Sequence, residues 1–390
     1  MTSHVTDFDQ WIRSDFMQFN TQLEELYFAQ SDRANVEGIG VSLKRQLHDE
    51  GRKHIRALLR EGNTDQGFDR GFDLLGNVGF YMAACARHGL TMHLNESSSP
   101  LQEASALAMQ LGASLGVTPR FATSHVGTHN RAVNGRYKSF TSLPDDYIFT
   151  DYNARGIFAY KRAADALLRI LPLGISHPVA CDLLVVARDA LRDVVHYNAT
   201  LFEKLDTERF FYCVRPYFKP HRVGNHVYRG ANAGDFAGIN VIDLLLGLCQ
   251  ADHAYYAQLL VDKFLYMMPE DQQLLRDCMR RRSLLNELLE YAGDSAQETW
   301  FQTNLAMFLE VCDAHGEAAA QHHDQLVEKF IVGPAQGLEQ HYQENLTASG
   351  PPLPVLLRAL EKLRDLRTAV ARDDLPTRYE DLQRLRACLV

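Results

Sequence analysis

Two stretches of this sequence carry residue types that could do chemistry together. The first is Arg209-Phe210-Phe211-Tyr212-Cys213-Val214-Arg215-Pro216-Tyr217-Phe218. Bulky aromatics surround an arginine that lies just before a proline, where a helix tends to end. An arginine at the mouth of an aromatic pocket can grip a carboxylate bidentately while the rings receive a flat apolar ligand. The same pattern also suits a core helix end with a salt-bridged arginine, and spacing alone does not separate the two. The second stretch is Gln321-His322-His323-Asp324-Gln325-Leu326-Val327-Glu328-Lys329-Phe330. On a helix, His323 shares a face with Leu326, Val327 and Phe330. Such a histidine is commonly a satisfied core residue. As a ligand, a single imidazole in apolar surroundings suits a haem iron better than zinc, which wants three or four nearby donors. A slip of register would put His322 there instead.

Other motifs reduce to ordinary structure. Gly112-Ala113-Ser114-Leu115-Gly116 fits the spacing of a nucleophile elbow, but that turn needs a strand before it. Here an Ala/Leu-rich helix precedes and Pro119 follows, so a helix C-cap is expected. His125 and His129 stand four apart, yet Gly127 and the neighbouring Thr and Asn residues argue against a helix, leaving two loop histidines. Arg280-Arg281-Arg282 reads as a solvated helix face. Neither a Gly-rich dinucleotide fingerprint nor a P-loop is present.

The elements that must position these residues are helices. Leu23, Leu26 and Tyr27, then Ile55, Leu58 and Leu59, then Phe68, Phe72, Leu75, Gly79 and Met82 recur at three-and-four spacing. Further helices are expected over Leu101–Leu111, Ala159–Leu171, His177–Leu205, Asn240–Gln250, Tyr255–Met268, Glu298–Ile331 and Val355–Arg372. A chain of 390 residues exceeds the usual single domain. The fold class is therefore all-α in two units: a smaller one over 1–115, a long connection over 116–152 rich in Gly, Thr, Asn, Pro and Asp, and a larger one over 153–390. A formal charge of −9 argues against nucleic acid or an anionic membrane as partner. No apolar run is long enough to span a bilayer, and the N-terminus has no secretion-signal pattern. Seven scattered cysteines without a C-x-x-C suit a reducing cytoplasm.

Taken in order, several blocks resemble the haem-dependent tryptophan/indoleamine 2,3-dioxygenase superfamily, and within it the pyrrolnitrin-pathway monodechloroaminopyrrolnitrin synthase family. Phe210-Phe211-x-x-x-Arg215 resembles the distal pair of phenylalanines and the arginine that holds the substrate carboxylate. Arg215-Pro216-Tyr217-Phe218 running to Arg222-Val223-Gly224 is closer to the pyrrolnitrin family. Tyr228-x-Gly230, Ala233-Gly234 and Ile242-Asp243-Leu244-Leu245-Leu246-Gly247 resemble a small-residue loop that meets substrate before a buried helix. His323 through Ile331, with Pro334-Ala335 after it, resembles the helix of the axial haem histidine. Asn77-Val78-Gly79-Phe80-Tyr81 resembles a distal-side segment. Arg87-His88-Gly89 and Ser139-Phe140-Thr141-x-Leu143-Pro144-Asp145 are again similar to the pyrrolnitrin family.

The resemblance covers roughly residues 65 to 370 and implies an indoleamine-dioxygenase-like helical fold. It implies haem b as cofactor, with His323 as axial ligand to iron and Leu326, Val327 and Phe330 beside the macrocycle. O2 is the implied co-substrate and an aromatic L-amino acid, tryptophan or a modified form, the implied substrate. Arg215 would take its carboxylate, Phe80, Tyr81, Phe210 and Phe211 would form an aromatic wall, and Ala233 and Gly234 would admit close backbone approach. Asn77 would be the catalytic donor, standing where indoleamine dioxygenase has a small hydroxyl residue. The closing Thr-Gly-Gly loop of the dioxygenases has its nearest counterpart in Thr347-Ala348-Ser349-Gly350-Pro351, making Thr347 and Ser349 substrate contacts. No distal histidine of the tryptophan-dioxygenase kind is present, and the first 60 residues match no block. The implied function is a mono- or dioxygenase or ring-rearranging enzyme of secondary metabolism, as monomer or homodimer. A haem-binding sensor or carrier of the same fold is the alternative.

Overall fold

The structure, a computed structural model, describes residues 3–62, 67–91, 97–232, 234–336, 347 and 350–389. The described residues form an all-α fold, as the periodicity indicates, with one short hairpin. Its strands β1 (His221–Val223) and β2 (His226–Tyr228) pair antiparallel, Arg222 opposite Val227. Three-residue strands such as these are too short for alternation to reveal.

Two compact units divide the chain. The first gathers Met1–Asp151, Lys204–Asp235 and Phe330–Leu353; the second gathers Tyr152–Glu203, Phe236–Lys329 and Pro354–Val390. The stretch 116–151 thus lies within the first unit. It holds a 3-10 turn at Thr123–His125, and from Pro144 onward it is already helical. The Thr/Asn/Gly composition hides that start because Pro144 is itself a good first residue of a helix.

In the first unit, helices α1 (Ser3–Ile12), α2 (Asp15–Phe28), α3 (Val41–Glu61) and α5 (Gln102–Leu115) surround α4 (Phe68–Arg87). Helix α4 is buried on nearly all sides between Gly71 and Cys85, which marks a central helix. Gly79 permits one of its closest crossings: a Cβ there would sit 2.8 Å from the Cα of Phe121. Leu23 and Tyr27 of α2 are buried, whereas Leu26, grouped with them by spacing, is exposed. Gly116, at φ +68°, caps the end of α5, so the Gly112–Gly116 motif is a helix terminus. His125 packs its ring on Phe72 at 4.1 Å, and its Nδ1 accepts the Ala122 N–H at 3.0 Å. It is a core residue rather than a loop histidine. His129 meets the edge of the same Phe72 ring.

The second unit contains the main length of α6 (Pro144–Ile170), α7 (Pro178–Lys204), α8 (Gly238–Leu246), α9 (Ala254–Phe264), α10 (Pro269–Cys278), α11 (Leu284–Asp294), α12 (Thr299–Gln321), α13 (Leu353–Arg367) and α14 (Tyr379–Arg386). Leu167, Leu184, Leu245, Leu285, Phe301 and Phe308 lie in its core. Ser283 caps α11 by accepting the Asn286 N–H. The single helix expected over Glu298–Ile331 is not uniform. It is α-helical to Gln321 and a π-helix over His322–Val332. The wider π turn changes which residues share a face, and such turns are frequent at functional sites. Among the described residues no helix is long and apolar enough to cross a membrane.

Candidate active site

The arginine segment is built as a sequence of unusual turns. The Asp206 carboxylate accepts the Arg209 N–H at 2.8 Å and caps a short turn at Thr207–Arg209. A π-helix then runs over Phe210–Val214 and a 3-10 turn over Arg215–Phe218, where Pro216 brings no N–H. Wider and tighter turns leave carbonyls without the usual helical donor. That of Tyr212 accepts Nη2 of Arg87 at 2.9 Å. Arg87 is itself gripped by Glu24 of α2 through paired contacts of 2.8 and 2.7 Å, and both side chains are buried.

Beside this pair lies a second polar chain. Tyr27 Oη is 3.0 Å from His88 Nδ1, His88 Nε2 is 2.8 Å from Asn20 Oδ1, and Asn20 Nδ2 donates to the Phe140 carbonyl at 2.9 Å. Burial holds the His88 imidazole pKa well below its ordinary value. The neutral ring therefore accepts from Tyr27 at Nδ1 and donates to Asn20 from Nε2. These positions of α2 went unmatched by any sequence block. Their signal, apolar Leu23 and Tyr27 with polar Asn20 and Glu24 on the buried face, becomes legible only once α4 is packed against them.

An aromatic ladder extends from the segment. Phe80 meets Phe140 at 4.7 Å and Phe121 at 5.0 Å; Phe140 stacks on Tyr217 at 4.4 Å. Phe218 meets Phe149 at 5.3 Å, Phe149 meets Phe210 at 4.7 Å, and Phe210 meets Phe330 at 5.7 Å. The ladder joins Phe80, Phe210 and Phe330. Phe211 stands apart, packed with Ala335, and the Arg215 guanidinium carbon sits 5.4 Å from its ring centre. Arg215 is buried, and burial pulls its pKa down to about 10.

Tyr81 does not join the ladder. Its hydroxyl donates to the His48 carbonyl of α3 at 3.0 Å, and its ring lies against Gly51. Asn77 is fully buried toward α1, its amide 3.4 Å from Asp9 Oδ1, its carbonyl oxygen without a hydrogen-bond partner. Asp9 also receives Arg13 and Lys138, and Lys138 reaches Asp73 at 2.6 Å. Asn77 is thus part of a charged cluster that fastens α1 to α4.

The small-residue loop approaches the arginine segment closely. A Cβ on Gly230 would fall 1.9 Å from the Phe218 carbonyl oxygen, so only glycine allows this crossing. The Gly234 N–H donates to Asn232 Oδ1 at 2.7 Å, and Asp235 is tied to Arg120 and Arg229. Buried Thr347 donates to the Pro351 carbonyl. Ala233 and Ser349 lie outside the described residues.

In the second unit, His323 is 20% exposed at its side chain, and its Nδ1 lies 2.7 Å from Asp324 Oδ1. Asp324 is also bound by Arg364 at 2.8 Å. Burial works to raise the Asp324 pKa, but hydrogen bonds from His323 and Arg364 outweigh it and keep the carboxylate charged. A carboxylate on Nδ1 fixes the tautomer that carries its lone pair on Nε2, the usual preparation of a metal-ligating histidine. Leu326 and Val327 are buried beside it. This donor set fits a haem: one prepared imidazole, apolar neighbours, and no cluster of three metal-ligating side chains among the described residues. His322, the neighbouring histidine, is exposed.

Two turns earlier on α12, His315 serves another purpose. Its Nε2 contacts Asp243 Oδ1 at 2.7 Å, and Arg367 grips both oxygens of Asp243 at 2.8 Å. Tyr256 adds a fourth donor at 2.7 Å. Asp243 of the Ile242–Gly247 block is therefore the hub of a buried cluster.

The order of these blocks agrees with the match of the chain, over residues 2–389, to the family described as monodechloroaminopyrrolnitrin synthase PrnB. That match takes in the first 60 residues, including the α2 side chains behind Arg87. The chain belongs to the monodechloroaminopyrrolnitrin synthase family, a family of haem-dependent oxidoreductases of pyrrolnitrin biosynthesis.

Proposed function

We propose that the chain is an oxygenase that uses haem b and O2 on tryptophan or a ring-modified aromatic L-amino acid, in cytoplasmic secondary metabolism. One observation carries the substrate class: a buried guanidinium, Arg215, beside the Phe211 ring and on the same segment as Phe210, Tyr217 and Phe218, which enter the aromatic ladder. A charge-assisted bidentate pair with a carboxylate is worth roughly 1.5–3 kcal/mol, and the ladder offers flat apolar contact to a ring.

His323 would hold the iron through Nε2, with Leu326, Val327 and Phe330 against the macrocycle. When bound, haem supplies the activation of O2 that no side chain of the chain provides. The chain's residues do the rest. Arg215 fixes the acid end, Phe80 and Phe210 form the wall, and Phe211 stiffens the guanidinium from below. Gly230, with Ala233 and Gly234 after it, keeps side-chain bulk out of the backbone approach. Thr347 closes that side. Asn77 and Tyr81 act at one remove, by holding α4 in place, rather than as donor and wall.

The test is a pair of alanine variants in haem-loaded protein. His323→Ala should lose the Soret band on purification, while His322→Ala keeps it. Adding L-tryptophan or a ring-chlorinated form to the parent should perturb the Soret band and start O2 consumption. A full Soret band in purified His323→Ala overturns the ligand assignment. Haem that binds without any amino-acid response favours a carrier and overturns the oxygenase.

A further inference from the structure

Arg364 of α13 has no counterpart among the residues singled out by sequence. Its guanidinium is divided between two carboxylates. Nε and Nη2 each lie 2.9 Å from Asp365 Oδ1, while Nη1 donates to Asp324 Oδ1 at 2.8 Å. That oxygen of Asp324 is the one that lies 2.7 Å from Nδ1 of His323. Two donors from different elements therefore share one carboxylate oxygen. Nη1 also stands 3.4 Å from Nδ1 itself, but a ring nitrogen that donates to Asp324 has no lone pair to receive it. Arg364 reaches the imidazole only through Asp324. The placement is built into the fold. Arg372 holds the other oxygen of Asp365 at 2.5 Å. One turn further along α13, Arg367 grips Asp243, which also receives His315 of α12. The helical run that carries His323 and the helix that carries Arg364 are thus fastened to one hub.

A carboxylate that accepts from Nδ1–H draws that proton toward itself and makes Nε2 a stronger donor to a metal. A guanidinium on the same oxygen draws negative charge away and weakens that pull. The Asp324 side chain is 50% exposed, so solvent screens its longer-range field and the direct contact dominates. We infer that Arg364 is a positioning residue that acts through Asp324 to set how electron-rich the His323 ligand is, and so the balance between ferrous and ferric haem. This rests on the reading of His323 as axial ligand and adds the residue that tunes it. A more electron-rich imidazole favours the ferric state, hydrogen bonding behind the ligand being one of the levers on a haem potential. Loss of Arg364 therefore shifts the balance toward ferric, and loss of the Asp324 charge shifts it toward ferrous. A bare field of the arginine on the iron would have the first of these signs too, but it would not need Asp324.

The experiment is a spectroelectrochemical titration of the haem-loaded protein, followed at the Soret band, with resonance Raman of the iron–histidine stretch in the ferrous form. In Arg364→Met the ferrous-to-ferric ratio at a fixed potential should fall about tenfold, which is about 59 mV for a one-electron couple. The stretch should rise with it. Asp324→Asn should move both readings the other way. Arg364→Lys, which keeps one charged donor for Asp324, should recover most of the shift. Adding Arg364→Met to Asp324→Asn should change the ratio by less than about twofold, because the contact it acts through is already gone. A change there as large as in the parent makes the arginine a field effect and overturns the proposal. An unmoved potential and stretch in Arg364→Met overturn it as well. Both results leave His323 as the ligand, whereas a full Soret band in His323→Ala overturns the ligand and the tuning together.

Discussion

Arg367 in the second unit is largely covered and Arg215 in the first is buried, and their surroundings push them in opposite directions. Burial works against each charge. At Arg367 the Asp243 carboxylate overcomes it and raises the guanidinium pKa above its ordinary value. At Arg215 burial prevails and the value falls to about 10. Arg87 behaves like Arg367, with Glu24 as its carboxylate. The difference separates two uses of one side chain. An arginine whose countercharge is built into the fold is a fastening. One at which burial prevails, as at Arg215, gains more from an anion that arrives later.

The harshest way to test that contrast is to remove the fastening. Asp243→Asn leaves Arg367 and His315 without their countercharge, and breaking a buried pair of this kind costs about 3–5 kcal/mol. Urea denaturation of the purified variant should show that loss, as a shift of the midpoint in the transition of the second unit. The pH dependence carries a sign. The folded Asp243 pKa lies below its unfolded value, because Arg367 and His315 outweigh burial. Its stabilisation is present above the unfolded value of about 3.9 and is lost only as pH falls through the depressed one. The gap between parent and Asp243→Asn should therefore persist from pH 7 down to pH 4. A gap that closes near pH 5 would contradict it.

The next effect falls on binding rather than folding. Arg215→Met keeps much of the side chain's volume over Phe211 and removes a desolvated charge. Stability should change by less than about 1 kcal/mol, in either direction. Affinity for L-tryptophan should drop by about 1.5–3 kcal/mol, roughly 10- to 100-fold, as read from the Soret titration. A variant that unfolds as readily as Asp243→Asn would make Arg215 another fastening and remove the basis of the contrast.

Residue types explain what the sequence could reveal here. Phe210, Phe211 and Arg215 are legible because their chemistry is compact and local, within six positions. The Glu24–Arg87 pair joins residues 63 apart, and Asp243–Arg367 joins residues 124 apart, so neither has a local pattern. The two π-helical stretches are hidden for a different reason. Over five or eleven residues, an apolar pattern at three-and-four spacing fits an α-helix equally well. Periodicity thus yields the helix that carries His323 without yielding its pitch, and it is the pitch that decides where His322 and His323 point.

The smallest effect comes from the same geometric source. Neighbouring residues on an α-helix point about 100° apart, so Phe80 and Tyr81 cannot both line one wall. Phe80 enters the ladder, and Tyr81 turns to α3, where its hydroxyl donates to the His48 carbonyl. Tyr81→Phe removes one hydrogen bond and keeps the ring against Gly51. It should cost about 0.5–1.5 kcal/mol in urea denaturation and leave L-tryptophan affinity unchanged within twofold. Phe80→Leu, matched for the same stability loss, should instead weaken binding, because it takes a ring out of the ladder that reaches Phe210. A Tyr81→Phe protein with intact stability and impaired binding would place the hydroxyl at the ligand, and the wall would then have to be drawn along the other face of α4.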